Sequence, residues 1–318
     1  MTRFVRYATG ILSALAFYAL SEPHFLRVRR FHVEIENLPP EAEGMRVVQM
    51  SDFHCSAITS AKMARRAVEM ANAQNPDVVV LTGDLVSREN SYAPLLFGSL
   101  WAQSPRFYAE EIARELKQLR APLGVWAVRG NHDASANEEI SSAKSVDAHG
   151  FGFLDGLLER NGVRVLVNSS TRLRGLALAG LDDLRVGRID LRQACQEVSP
   201  EEAQIILSHN PRVFPLFKTR NALILTGHTH SGQVHLPFSG FRRKPFDMRD
   251  STYNEGWYQE ERARMFVSAG IGSVHLPLRF FCPPEIAVFT LKNRLATHAD
   301  EHRCHHENER HFHHESGN

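Results

Sequence analysis

Five apolar runs in this chain end at side chains able to bind a cation, and that coincidence limits the fold more than any other feature of the sequence. The endings are Ser51-Asp52-Phe53-His54, Gly83-Asp84, Gly130-Asn131-His132-Asp133, Ser208-His209-Asn210 and Gly227-His228-Thr229-His230. The runs before them are short and nearly continuous, the pattern of strands buried on both faces. Segments with helical periodicity separate the first of them, at 61–73 and at 106–120, where Ile112, Leu116 and Leu119 share a face. The second half is richer in strands, with runs at 163–167, 176–180, 203–207, 222–225, 265–268 and 286–291. The expectation is an α/β fold in which two sheets pack face to face with helices outside, a β-sandwich of four layers, α-β-β-α.

Sites in α/β sheets form just beyond the carboxyl ends of strands, so the five endings should meet on one rim. Asp52 and His54, like His228 and His230, are spaced by two, and extended backbone would turn each pair to one side. Taken singly, a Gly-Asp after a strand is ordinarily a turn, and a buried His a satisfied core residue. Five such endings in one chain would each need a separate reason for burying a costly polar group, whereas a metal site supplies one reason for all. The seven candidate ligands, Asp52, His54, Asp84, Asn131, His209, His228 and His230, exceed a single coordination sphere, which favours two metals. Carboxylate, imidazole and amide donors without thiolate suit Mn²⁺, Fe or Zn²⁺ rather than Ca²⁺ or an iron–sulfur cluster.

Composition removes other classes. At 318 residues and 43% hydrophobic the chain can bury a full core. A net charge of +1 offers no basic excess for nucleic acid, and none is expected as a partner. Four scattered cysteines without a C-x-x-C pair indicate neither a disulfide framework nor a thiolate zinc site, and fit a reducing compartment. Cys55 follows His54 directly, but no His/Asn relay accompanies it in motif form, so a thiolate nucleophile is not expected.

The two ends differ from the middle. Residues 1–30 contain an uncharged stretch of 15 residues, 7–21. That is short of the roughly 20 of a spanning helix but suits a signal region or membrane anchor; a buried core helix is the alternative. Arg3 and Arg6 precede it and Arg27, Arg29 and Arg30 follow it, which leaves orientation open and favours contact with acidic headgroups. Residues 296–318 hold seven of the 17 histidines among acids with little to bury, and read as a solvated tail outside the site. A metal-buffering role would rest on that tail alone.

Between these ends, 31–295, the series Asp52-x-His54, Gly83-Asp84, Gly130-Asn131-His132-Asp133, His209 and Gly227-His228-x-His230 resembles the calcineurin-like metallophosphoesterase superfamily. The approach to Val33-Glu-Ile-Glu-Asn-Leu-Pro39, the Ala179-Gly-Leu-Asp-Asp183 segment and the stretch from Ser268-Ala-Gly-Ile-Gly272 through Pro277-Leu-Arg279 to Pro284-Glu285 are similar to its membrane-associated YaeI/YkuE-like branch. Ser231-Gly232 stands where that branch has Gly-Gly, a departure that removes no ligand.

The resemblance implies the metallo-dependent phosphatase fold and two divalent cations, Mn²⁺ first, with Fe or Zn²⁺ as alternatives. One would be held by Asp52, His54, Asp84 and His230, the other by Asp84, Asn131, His209 and His228, with Asp84 as the bridge. It implies hydrolysis of a phosphodiester or pyrophosphate bond by metal-activated water. His132 would act without a metal, stabilising the transition state or protonating the leaving oxygen, with Asp133 orienting its ring. Arg129 either contacts phosphate or is salt-bridged.

Two segments interrupt the pattern. Residues 90–107 carry Leu95, Leu96, Phe97, Leu100 and Trp101, and residues 238–246 place Arg242, Arg243 and Lys244 between aromatics. The first could shelter an acyl chain and the second hold a phosphate; an extra packed helix and a solvated basic loop are the alternatives. With the anchor they favour an amphiphilic, lipid-linked phosphate ester at a membrane surface. The branch implies UDP-2,3-diacylglucosamine of lipid A biosynthesis as the most specific candidate. Phospholipid or small nucleotide substrates, or a non-catalytic metal-binding module, are the alternatives. The implied place is a bacterial inner membrane with the catalytic domain cytoplasmic, or exported in the other orientation.

Overall fold

The computed structural model describes residues 3–87, 103–136, 151–235 and 252–294. Among the described residues, twelve strands form two six-stranded sheets. In the first, β1 (Arg27–Ile35) pairs with β12 (Glu285–Asn293), which pairs with β2 (Arg46–Met50), and β3 (Val78–Leu81), β4 (Val125–Ala127) and β5 (Val163–Val165) follow in order. The second runs β10 (Gly256–Glu260), β11 (Ala263–Val267), β9 (Ala222–Thr226), β8 (Gln204–Leu207), β7 (Leu176–Gly180) and β6 (Ser169–Leu173).

The apolar runs become strands because both their faces are covered. Alternate residues of the first sheet, such as Val47, Val80 and Phe289, meet Leu178, Ile205, Leu225 and Phe266 of the second in the slab between the sheets. The other face of the first sheet, Val48, Met50, Val79 and Leu81, is covered by α2 (Ala61–Asn72), α3 (Pro105–Leu116) and α4 (Gly152–Arg160). A thinner layer covers the second sheet: the 3₁₀ segment Pro211–Phe217 and the short helix Leu191–Ala194 pack on Ala179, Ile206, Ile224 and Val267. The outer strands β6 and β10, half-exposed and polar, carry no apolar run by which sequence could have marked them.

The amino-terminal boundary expected at residue 30 falls inside β1, and this is a correction. α1 covers Arg3–Ser21, so Arg3 and Arg6 continue the helix, and Arg27, Arg29 and Arg30 belong to the sheet. Phe4–His24 is long and apolar enough to cross a membrane, and its apolar window is wholly unburied, which excludes a core helix. The foot of α1 lies at the rim where the strands end. β12 runs antiparallel to β2 with Ala287 opposite Gln49, so its first residues lie beyond Met50, and β1 runs parallel to β12 from Arg27 opposite Glu285. The amide of Arg279 donates to the Ala19 carbonyl at 2.9 Å and that of Cys282 to the buried Glu22 carboxylate at 3.2 Å. The Tyr18 ring packs on Phe280 and Phe281.

Candidate active site

At the carboxyl ends of β2, β3, β8 and β9 the chain turns away from strand geometry at the residues that carry the polar side chains. Asp52, His54, Asp84, His228 and His230 all have left-handed backbone, with φ between 45° and 73°. Such a conformation costs about 1 kcal/mol or more per residue and persists where the surroundings enforce it. The enforcement is close packing of the turns. A Cβ on Gly130 would lie 2.2 Å from the Asp84 amide, and one on Gly227 would lie 2.2 Å from Asp52 Oδ2, so glycine is required at both. The backbone at His228 and His230 is thus left-handed rather than extended as expected, and the two rings meet different partners.

Two groups result. His230 Nε2 lies 2.9 Å from His54 Nε2 and 3.4 Å from Asp52 Oδ1. His228 Nδ1 lies 3.0 Å from His209 Nε2, which in turn is 3.2 Å from Asp84 Oδ2. The same Oδ2 is 3.4 Å from His54 Nε2, so Asp84 stands between the groups. Asp52, His54 and His230 are buried with donor atoms within 4.8 Å of one another, as are Asp84, His209 and His228.

The donors are held in place from behind. Nδ1 of His209 donates to the Thr82 carbonyl at 2.8 Å, which turns Nε2 toward Asp84. His54 Nδ1 meets Ser87 Oγ at 3.2 Å. Asp52 accepts from Ser51 Oγ at 2.5 Å and from the His228 amide at 3.0 Å. Neither Thr82 nor Ser87 was legible as part of a site, the first because it contributes a backbone oxygen.

Burial holds His228 and His230 well below the ordinary imidazole range and pushes His54 down to about 3, so all three present neutral rings. Burial pushes Asp52 up to about 7, against the opposing pull of His209. For His209 burial is outweighed by the adjacent Asp84, which pushes the imidazole up to about 10. Burial also opposes charge on Asp84, but His209 and His132 outweigh it and hold that carboxyl well below the usual range.

This set fits a pair of cations. Buried carboxylates and lone-pair nitrogens converge at distances that suit a shared ion. The Asn131 side-chain oxygen is buried without a hydrogen-bond partner, as expected of an amide that donates its lone pair to a metal. The His/Asp clusters support a dinuclear divalent-metal site, and Asp84 lies between its two groups, near His54 on one side and His209 on the other.

His132 is half-buried; its amide donates to Asp84 Oδ1 at 2.8 Å and its ring sits edge-on to His54 at a centroid distance of 4.8 Å. Its donor nitrogen also clusters with His54 and Asp84. Asp133 is placed otherwise than expected: its two oxygens accept from the amides of Asp84, Leu85, Val86 and Gly130, tying the second and third turns together. Its carboxyl is a brace between turns, and burial with the neighbouring Asp84 pushes it up to about 8.

Arg129 takes the second of its two readings. It pairs with Asp155 at 2.9 Å and Asp182 at 3.2 Å and stacks on Phe151, so its guanidinium is committed to carboxylates rather than to substrate. Arg242, Arg243 and Lys244, the apolar residues 95–101 and the histidine-rich tail lie outside the described residues. Sequence reasoning quoted Arg279 without giving it a role. It is fully buried and donates to the carbonyls of Ala269, Gly270, Gly272 and Cys282, holding 269–272 against Asp52.

The family described as calcineurin-like phosphoesterase matches residues 45–232, a span that contains every residue of both clusters. The Bacillus subtilis (strain 168) protein named uncharacterized metallophosphoesterase YkuE is 30% identical over 91% of this chain and 95% of its own length. A Danio rerio transmembrane protein with metallophosphoesterase domain is 28% identical over 89% of this chain and 61% of its own length. The UDP-2,3-diacylglucosamine pyrophosphatase LpxG of Chlamydia trachomatis serovar D is 25% identical over 84% of this chain and 89% of its own length.

Proposed function

Because the chain belongs to the calcineurin-like phosphoesterase family and is thus a metal-dependent hydrolase of phosphoric esters, we propose that it acts at a membrane surface on an amphiphilic phosphodiester or pyrophosphate. The observation that carries this reading is the position of the membrane-length helix, whose foot is hydrogen-bonded into the rim that holds both donor clusters. A soluble substrate would need no such placement.

When bound, two divalent cations supply Lewis acidity that lowers the pKa of a water and neutralises charge on the phosphoryl oxygens. Asp52, His54 and His230 would hold one and Asn131, His209 and His228 the other, with Asp84 available to both. Asn131 contributes a neutral oxygen and so limits the negative charge of the cage. His132, next to Asn131 and half-exposed, protonates the leaving oxygen. Asp133 keeps Asp84 and Asn131 at one separation by bracing their turns. Mn²⁺ is the metal we assign, on donor chemistry.

The most specific substrate we infer is UDP-2,3-diacylglucosamine, cleaved at its pyrophosphate on the cytoplasmic side of a bacterial inner membrane; what supports it is the likeness to a pyrophosphatase of that name over most of both chains. The test is a panel with Mn²⁺-loaded, full-length protein in vesicles: bis-p-nitrophenyl phosphate, UDP-2,3-diacylglucosamine, phosphatidylglycerophosphate and a cyclic nucleotide. The expected result is cleavage of the first as a generic diester and a kcat/KM at least tenfold higher for the second than for the third and fourth. Preference for the phospholipid would move the substrate to that class, and no hydrolysis of any would overturn the catalytic reading.

A further inference from the structure

Beside the foot of α1 lies a groove of about 340 Å³ that the chemistry of the metal rim does not use. Its apolar lining comes from Pro23, Ile58, Met63, Ile271 and Pro277, and Lys62 and Arg66 also line it. Two features make it more than a surface dent.

The first is its continuity with the apolar phase. Pro23 lies at the end of the span Phe4–His24, whose apolar window is wholly unburied, so a chain lying along α1 would reach the groove from that apolar face. The exposed Lys62 makes no ion pair among the described residues, and Arg66 reaches across to the His24 carbonyl at 2.7 Å. Cations on long stems at the end of a membrane helix match the anionic headgroup layer.

The second is that part of its lining is hydrogen-bonded to the turn that carries Asp52. The Ile271 amide donates to the Ser51 carbonyl at 3.0 Å and that of Gly272 to the Asp52 carbonyl at 2.7 Å. The Thr59 hydroxyl, also in the lining and in the loop that follows His54, accepts from the Ser273 amide at 3.2 Å. An amphiphile with its apolar part in the groove therefore lies against the segment that packs on the Ser51–Asp52 turn.

We propose that this groove is the subsite for one alkyl or acyl chain of a membrane-derived phosphoric ester. The inference rests on the hydrolase reading above and names what binds beside that site. The volume sits at the lower end of the roughly 300–1,000 Å³ of small-molecule sites, which suits one chain rather than a two-chain lipid.

A series of p-nitrophenyl alkyl phosphates with methyl, butyl and octyl groups tests it, because bond, leaving group and charge are constant and only the chain grows. Full-length, Mn²⁺-loaded protein in phosphatidylcholine vesicles is expected to show kcat/KM rising by up to about fourfold per methylene accommodated. In Met63→Glu, and independently in Ile58→Glu, both in the lining, the octyl-to-methyl ratio should fall toward one while bound metal is retained, which shows that the fold is intact. A wild-type ratio that both variants preserve would be bilayer partitioning alone and would overturn the subsite. A flat series in the wild type overturns it too. No hydrolysis even of the methyl ester would instead overturn the hydrolase reading, so the two failures are distinguishable.

Discussion

Between the sheets, Val80, Leu225 and Phe289 are fully buried among apolar neighbours in ordinary strand geometry; a few residues further along the same layers, Asp52, Asp84 and His209 are buried just as deeply. The first group gains free energy by leaving water. The second is costly to bury, and Asp52 and Asp84 add left-handed backbone. Equal burial thus has opposite energetic signs, and the difference marks where the molecule gives up stability for chemistry: the slab holds the fold, and the rim is held by it.

If that division is right, rim substitutions should change metal content and rate while the fold persists, and slab substitutions should do the reverse. The largest effect is expected from Asp84→Asn. An amide cannot supply the shared charge between two cations, so turnover should fall by about 10³-fold or more and bound metal, measured by atomic emission, should drop. Full activity with two metals retained would refute a shared ligand.

His132→Ala should keep both metals yet lose roughly 10²–10⁴-fold in kcat, the range for positioned acid–base groups. The loss should shrink for a nitrophenyl ester, whose leaving group hardly needs a proton, relative to a sugar-phosphate or alkoxide leaving group. Equal losses would make His132 an electrostatic stabiliser, and a lost metal would make it a ligand.

In the slab, Phe289→Ala should lower unfolding free energy by about 3–5 kcal/mol, read by chemical denaturation. The rate per folded molecule should stay within a factor of two or so; a large loss of kcat would show that slab and rim are coupled.

The smallest effect is expected at the anchor. A chain beginning at Glu22 keeps all of β1 and should hydrolyse bis-p-nitrophenyl phosphate at nearly the full-length rate. One beginning at Phe31 loses the first four residues of a nine-residue strand, Arg27–Ile35, and with them the Arg27 and Arg29 pairs to Glu285, so it should be less soluble and less stable. Indistinguishable behaviour of the two would return Arg27–Arg30 to the anchor.

How far this was legible in the sequence follows the same division. The apolar runs at Val47–Met50, Val78–Leu81 and Ala222–Thr226 announce strands buried on both faces, and the side chains that end them announce a site, because both signals are side-chain chemistry in chain order. What stayed hidden depends on backbone. Extended geometry at His228 and His230 was a reasonable expectation that their left-handed φ values defeat. Thr82 orients His209 through a carbonyl that every residue possesses. Asp133 looked like a partner for the adjacent ring, yet its oxygens face three amides that a turn distant in sequence brings to it, besides that of Gly130. The strand-forming Arg27–Arg30 segment reads as a basic flank because β1 lies at a sheet edge and buries little of it.

The insertion of β12 between β1 and β2 also governs how the protein can be made. The helix and the first strand leave the ribosome early, whereas the strand that joins β1 to the rest of the sheet comes last of the twelve. Until Glu285–Asn293 is synthesised, β1 and β2 each present an unpaired edge, separated by a gap one strand wide, and exposed edges of this kind recruit other chains. A nascent chain held at a bilayer by α1 would be kept apart from its siblings during that interval. The same helix thus offers protection before there is any catalyst to anchor, and a stop codon placed ahead of β12 should yield membrane-bound aggregate rather than a slightly weakened enzyme.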